Sequence, residues 1–176
     1  MFLISRPHAL AFALGLGVLS GCVSMASVQD FPKSAIEIRF DEIAKQGLRQ
    51  DGAWNLETQY EHYFEVDAAL VEQLHAAIES AMTRLDYRVV RSDKAQRVVL
   101  GERSITMAEW NSVTGAYYSV RGDVVQVYVK NAITQDITGG WRDNRAKALS
   151  DKLCTELLRC KVRISLADDR AAKPSK

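Results

Sequence analysis

The chain has 176 residues, with 23 basic and 22 acidic side chains and a formal net charge of +1. No long run of one sign occurs, which excludes the usual electrostatic footprint of a nucleic-acid binder, and the length suits one domain around one core. There is no internal repeat and no low-complexity segment.

The first element is a short positive region ending at Arg6, followed by an apolar run over residues 9–19. As a helix those 11 residues would rise about 16 Å against a hydrocarbon core of roughly 30 Å, so a secretion signal is expected rather than a membrane span. The junction that follows, Leu19, Ser20, Gly21 and Cys22, resembles the lipobox of bacterial lipoproteins. The resemblance implies cleavage before Cys22, an S-diacylglycerol thioether on its sulfur and an N-palmitoyl or similar acyl group on the new amine. Residues 1–21 would then be a discarded signal peptide. Two or three acyl chains make a durable anchor, since each buried methylene contributes about 0.8 kcal/mol. Val23 follows the cysteine where an aspartate would mark the inner membrane, so the family rule favours the outer membrane, and its periplasmic face is the expected side. Loss of Arg6 leaves 22 charges of each sign.

Residues 22–34 are polar, with Ser24, Ser27, Gln29, Asp30 and Ser34, and are expected to form a tether reaching roughly 40 Å at most. A single domain is expected over residues 35–167 and a frayed tail over 168–176. Alternation of Ile36, Ile38 and Phe40 with charged residues predicts a first strand over 35–40. A glycine-containing loop with a helical turn near Ile43 follows, then a short strand over 56–64. The clearest helix starts near Asp67 and puts Leu70, Leu74, Ala77, Ile78, Ala81 and Leu85 on one stripe. Strands are expected at 89–90 and 97–106, and a hairpin joins 114–120 to 124–130 across Arg121, Gly122 and Asp123. A second helix, capped by Asp143 or Asn144 and ending near Leu158, buries Ala146, Leu149, Leu153 and Leu157. A last strand covers 161–166. The order describes an α+β fold, a mostly antiparallel sheet with two amphipathic helices packed on one face.

Export places Cys154 and Cys160 where a disulfide persists. Six residues of continuous helix would hold their Cα atoms about 9 Å apart, beyond the roughly 7 Å limit for a bridge. Either the helix ends between them and they pair, which is the expectation, or two free thiols remain.

Arg121, Gly122 and Asp123 spell an integrin-binding tripeptide, but a hairpin turn wants glycine and aspartate there for its own reasons. His62 and His75 are expected at the surface, with His75 facing Glu79 one helical turn away. Neither matches a metal-binding spacing, and no metal or other cofactor is expected. The arginines and lysine at positions 84, 88, 91, 94 and 97 read as a solvated face interrupted by Asp86 and Asp93. No G-x-S-x-G or S-x-x-K motif is present, so no catalytic residue can be named. Tyr117, Tyr118, Tyr128 and Trp110 stand out as candidates for partner binding. Alternation puts Tyr117 and Tyr118 on opposite faces, and at least one is expected to face outward.

The run from Val99 to Ile105, V-L-G-E-R-S-I, follows the first helix and its strand as a comparable strand does in the lipopolysaccharide-assembly lipoprotein family, which the chain resembles in outline. The later strand and aromatic-rich segment of that family have no counterpart here, so none of its partner or lipid-binding residues carries over. The expectation is a non-enzymatic, membrane-anchored accessory or assembly factor with an envelope protein as partner. A module binding a small ligand or glycolipid is the alternative, and a cell-wall hydrolase the third.

Overall fold

The computed structural model describes residues 26–46, 58–105, 111–133, 145–157 and 160–165. Cys22, Trp110, the expected caps Asp143 and Asn144, and the tail at 168–176 lie outside them. The described elements are the helices α1 (Phe40–Gln46), α2 (Val71–Arg84) and α3 (Arg145–Glu156) and the strands β1 (Thr58–Asp67), β2 (Arg88–Asp93), β3 (Val98–Arg103), β4 (Ser112–Arg121), β5 (Val124–Ile133) and β6 (Cys160–Ser165). The strands form one sheet in the order β2-β3-β4-β5-β1-β6, and every neighbouring pair is antiparallel. The α+β class is as expected.

Asp67 starts the helical stretch by accepting from the Ala69 N–H at 3.0 Å, which caps a short 3-10 turn that runs into α2. From α2, Leu74, Ile78, Ala81 and Met82 are buried, and from α3, Ala146, Leu149 and Leu153. Both stripes pack on one sheet face, against Phe64, Val66, Val99, Ala116, Tyr118, Val125, Val127 and Val129. Fully burying a leucine, isoleucine or methionine side chain contributes about 1.5–3 kcal/mol, so this layer accounts for much of the stability.

The opposite face is also covered, which the sequence reading did not anticipate. Residues 26–34 are no free tether. Ala26 and Phe31 are buried, and together with Ala35 and Phe40 they pack on Tyr63, Val98, Leu100, Val113, Tyr117, Tyr128 and Ala132. Asn111 Nδ2 donates to the Ala26 carbonyl at 3.1 Å, Tyr117 Oη donates to the Pro32 carbonyl at 3.0 Å, and the Ala35 N–H donates to the Gln96 carbonyl at 2.9 Å. Lys33 turns inward and donates to the carbonyls of Val28 and Gln29. The segment is a strap.

The strand expected at 35–40 is replaced by a 3-10 turn, Ala35–Glu37, and the start of α1. The cause is local capping. The Glu37 carboxylate accepts from the N–H groups of Lys33 and Ser34 at 2.7 and 2.9 Å, and the Ser34 hydroxyl accepts from the Ile36 N–H at 3.3 Å. Backbone donors that a ladder would have used are thereby occupied, and Ile36 is left 89% exposed.

The sheet has two distinct ends. At the hairpin end, Gly122 takes φ 59° in the turn between β4 and β5, a conformation in which a side chain would be strained. The same end holds the turn from β2 to β3, the exit of β1 and the start of β6. At the opposite end β3 and β5 finish and β1 and β4 begin, with Arg103, Ser112, Ile133 and Thr58 in register. Ala26 enters the fold at that opposite end, on Asn111.

Candidate functional site

A polar grouping that joins three elements lies towards the hairpin end, where α2 crosses the edge strand β2. The sequence put His75 on the helix surface opposite Glu79; the structure buries it and turns its ring toward the sheet. Its Nε2 lies 2.8 Å from Ser92 Oγ on β2, and its Nδ1 lies 3.1 Å from Tyr118 Oη on β4. The His75 and Tyr118 rings meet edge to face with centroids 5.9 Å apart. A bulge in β2 between Val89 and Arg91 shifts the register and brings Ser92 onto the helix side. Over this cluster Lys94 Nζ donates to Glu72 at 2.8 Å, and that hydrogen bond, with the attraction of the ammonium, holds the Glu72 carboxyl below its ordinary range.

A serine hydroxyl on an imidazole is the pairing that nucleophilic catalysis uses, and Ser92 is exposed while His75 is held from behind. The third member differs from a catalytic triad. Burial, more than any neighbouring charge, pushes the Tyr118 phenol up, so it stays protonated. A neutral phenol can orient His75 but supplies no negative charge to balance an imidazolium. In the neutral imidazole one ring nitrogen donates and the other accepts, so the three groups form a short relay that ties α2, β2 and β4 together.

The aromatic candidates are placed otherwise than expected. Tyr117 and Tyr118 do lie on opposite faces, yet neither faces outward, because the strap covers one face and the helices the other. Tyr128, beside Tyr117 with centroids 6.1 Å apart, is buried under the strap as well. None of the three offers a surface to a partner. Arg121, Gly122 and Asp123 are exposed at the hairpin tip, where Arg121 pairs with Asp41 of α1 and the Asp123 carbonyl accepts from the Ala68 N–H at 3.0 Å. His62 is buried in β1 rather than exposed. Cys154 and Cys160 are joined, with Cα atoms 5.3 Å apart, because α3 ends at Glu156 between them.

The two edge strands differ. Both outer strands carry a register shift, but around β2 three arginines are paired: Arg88 with Glu102, Arg91 with Asp93 at 3.4 Å and Arg84 with Glu156 at 2.6 Å. This is a guarded edge, and four of the five basic residues of that stretch are paired on it, Lys94 with Glu72 among them. On β6, among the described residues, no strand pairs with the outer side.

Ser92 escaped the sequence reading because it carries no motif; its partner lies 17 residues away on another element. The strap escaped because its buried anchors Ala26 and Phe31 are isolated among polar residues, and Phe40 belongs to the period-two alternation with Ile36 and Ile38. No family model and no curated protein matches the chain.

Proposed function

We propose that the protein is a lipid-anchored envelope protein, held through Cys22 at the periplasmic face of the outer membrane, and that it acts without catalysis by binding an envelope partner along the outer edge of β6. The observation that carries the partner-binding reading is the asymmetry of the sheet. Its two faces are covered and basic residues beside β2 are paired, while among the described residues nothing pairs with the outer side of β6, whose backbone groups an extended segment can complete. The anchor rests on the Leu19-Ser20-Gly21-Cys22 motif. A binding module with its ligand between helices and sheet is disfavoured by the side chains there, since Phe64, Leu74, Ile78, Met82, Leu149 and Leu153 fill that layer.

A photocrosslinking residue at exposed Lys161 on β6, compared with one at Arg88 on β2, tests the edge in intact cells. Capture of one defined envelope protein from position 161 and not from 88 is expected; equal capture from both, or none, sinks the proposal. The mass of the mature N-terminal peptide should show an acylated Cys22, and an unmodified thiol there would remove the anchor.

Hydrolysis at Ser92 is the second reading, favoured by its 2.8 Å contact with His75 Nε2. Labelling of the folded protein by a fluorophosphonate, abolished by Ser92→Ala, would establish it. No labelling is expected.

A further inference from the structure

The strap changes what an anchor at Cys22 would do. The polar segment after the cysteine looked long enough to let the domain swing about 40 Å from its membrane, but the chain is already docked at Ala26, 5% exposed and held by Asn111. Only four peptide steps separate Cys22 from Ala26, at most about 14 Å of extended chain. Strands β4 and β5 have ten residues each and span roughly 30 Å, so the leash is about half the length of the sheet.

We propose that the lipid surface seats against the end of the sheet where Ala26 enters, with the strands rising away from it and the hairpin end facing the periplasm. This rests on the lipid-anchor reading above. Three observations carry it. The leash ends on Asn111, one residue before β4, and fixes which end is near the bilayer. Ile105, 56% exposed and two residues past the end of β3, is a large apolar side chain at that same end. Among the described residues, two ion pairs lie at that end, Arg103 with Asp86 at 3.6 Å and Arg88 with Glu102. These four side chains add no net charge towards a headgroup layer.

The competing pose lays the strap flat on the bilayer and inserts Ile36. It would press the exposed charges of Asp30, Glu37, Arg39 and Lys45 into the interface, and burying charges that water now solvates is costly. The upright pose leaves them wet. It also leaves Gly122, the exposed Ser92 and the β6 edge facing the periplasm, where a partner can reach them.

The test uses the acylated full-length protein in phosphatidylethanolamine–phosphatidylglycerol vesicles doped with a nitroxide-labelled lipid. A single fluorophore is attached in turn to I105C, I36C and G122C; the other cysteines are acylated or disulfide-bonded. Quenching at 105 several-fold stronger than at 122, with 36 intermediate or weak, is expected from a sheet standing roughly 30 Å tall. Quenching at 36 or 122 equal to or stronger than at 105, with Cys22 acylated, overturns the orientation and leaves the anchor standing. An unacylated Cys22, read from the mass of the N-terminal peptide, overturns both.

Discussion

Tyr117 and Tyr118, neighbours in β4, are both buried, one donating to the Pro32 carbonyl of the strap and the other meeting His75 of α2. A single dipeptide thus clamps a different layer on each side of the sheet. The two clamps can be tested separately. Tyr118→Phe leaves the buried His75 ring without its Nδ1 partner and should cost about 1–3 kcal/mol in urea unfolding. Tyr117→Phe frees a carbonyl that the strap can offer to water and should cost less, about 0.5–1.5 kcal/mol. Equal losses, or a larger loss at Tyr117, would show that the His75 relay is not the tighter clamp.

Gly115 lies on the strap side of the same strand. A Cβ there would sit 2.7 Å from Tyr117 Oη, 2.8 Å from its Cε2 and 2.9 Å from Phe31 Cδ1. Tyr117 is held by Pro32 and Phe31 belongs to the strap, so the simplest relief is for the strap to lift. Gly115→Ala should therefore destabilise by about 1–3 kcal/mol and speed tryptic cleavage after Lys33. Unchanged cleavage alongside a lost kcal/mol would place the strain in the sheet instead.

What the sequence made legible and what it hid have physical reasons. The stripes of α2 and α3 and the Gly122 hairpin were legible because each is a local period or turn chemistry, and their burial follows from spacing alone. The alternation of Tyr117 and Tyr118 was legible too. Its consequence was not, because exposure of the second face depends on whether another segment lies over it. Ser27, Gln29, Asp30 and Ser34 give that segment the pattern of a solvated linker. In the fold, Ser27, Lys33 and Ser34 satisfy strap backbone, so polarity here marks capping rather than mobility. His75 departs from its sequence expectation for a related reason: the helix offers Glu79 one turn away, but the bulge in β2 supplies Ser92.

Alkaline pH offers a readout of the strap clamp. Burial, and then the nearby Glu37 carboxylate, push the Tyr117 phenol well above its ordinary range. An unfolded tyrosine releases its proton near pH 10, while the folded one keeps it. The native state then binds more protons than the unfolded state, so this stabilisation is complete below pH 10 and declines as pH rises above it. Stability measured from pH 8 to 11.5 should fall above pH 10, and more gently in Tyr117→Phe than in the wild type. Parallel curves would mean that Tyr117 titrates normally in the folded protein.

The disulfide makes the last prediction, and its effect should be local. Cys154 follows the buried stripe of α3 and Cys160 opens β6, so the bridge pins the edge strand to the helix layer across a separation of six residues. Closing so short a loop restricts the unfolded chain by about 2 kcal/mol in the chain-entropy view. Strand β6 pairs only with β1 among the described residues, and with a register shift between Phe64 and Val66. It therefore has the least other support of the inner elements it touches. Reduction, or the double substitution to serine, should lower stability by about 2 kcal/mol and raise amide exchange first in β6, while β4 and β5 keep their protection. If β6 is the partner's docking edge, the same treatment should weaken crosslinking from Lys161 more than it weakens folding. Exchange that rises equally across all six strands would show that the bridge supports the fold as a whole rather than this edge.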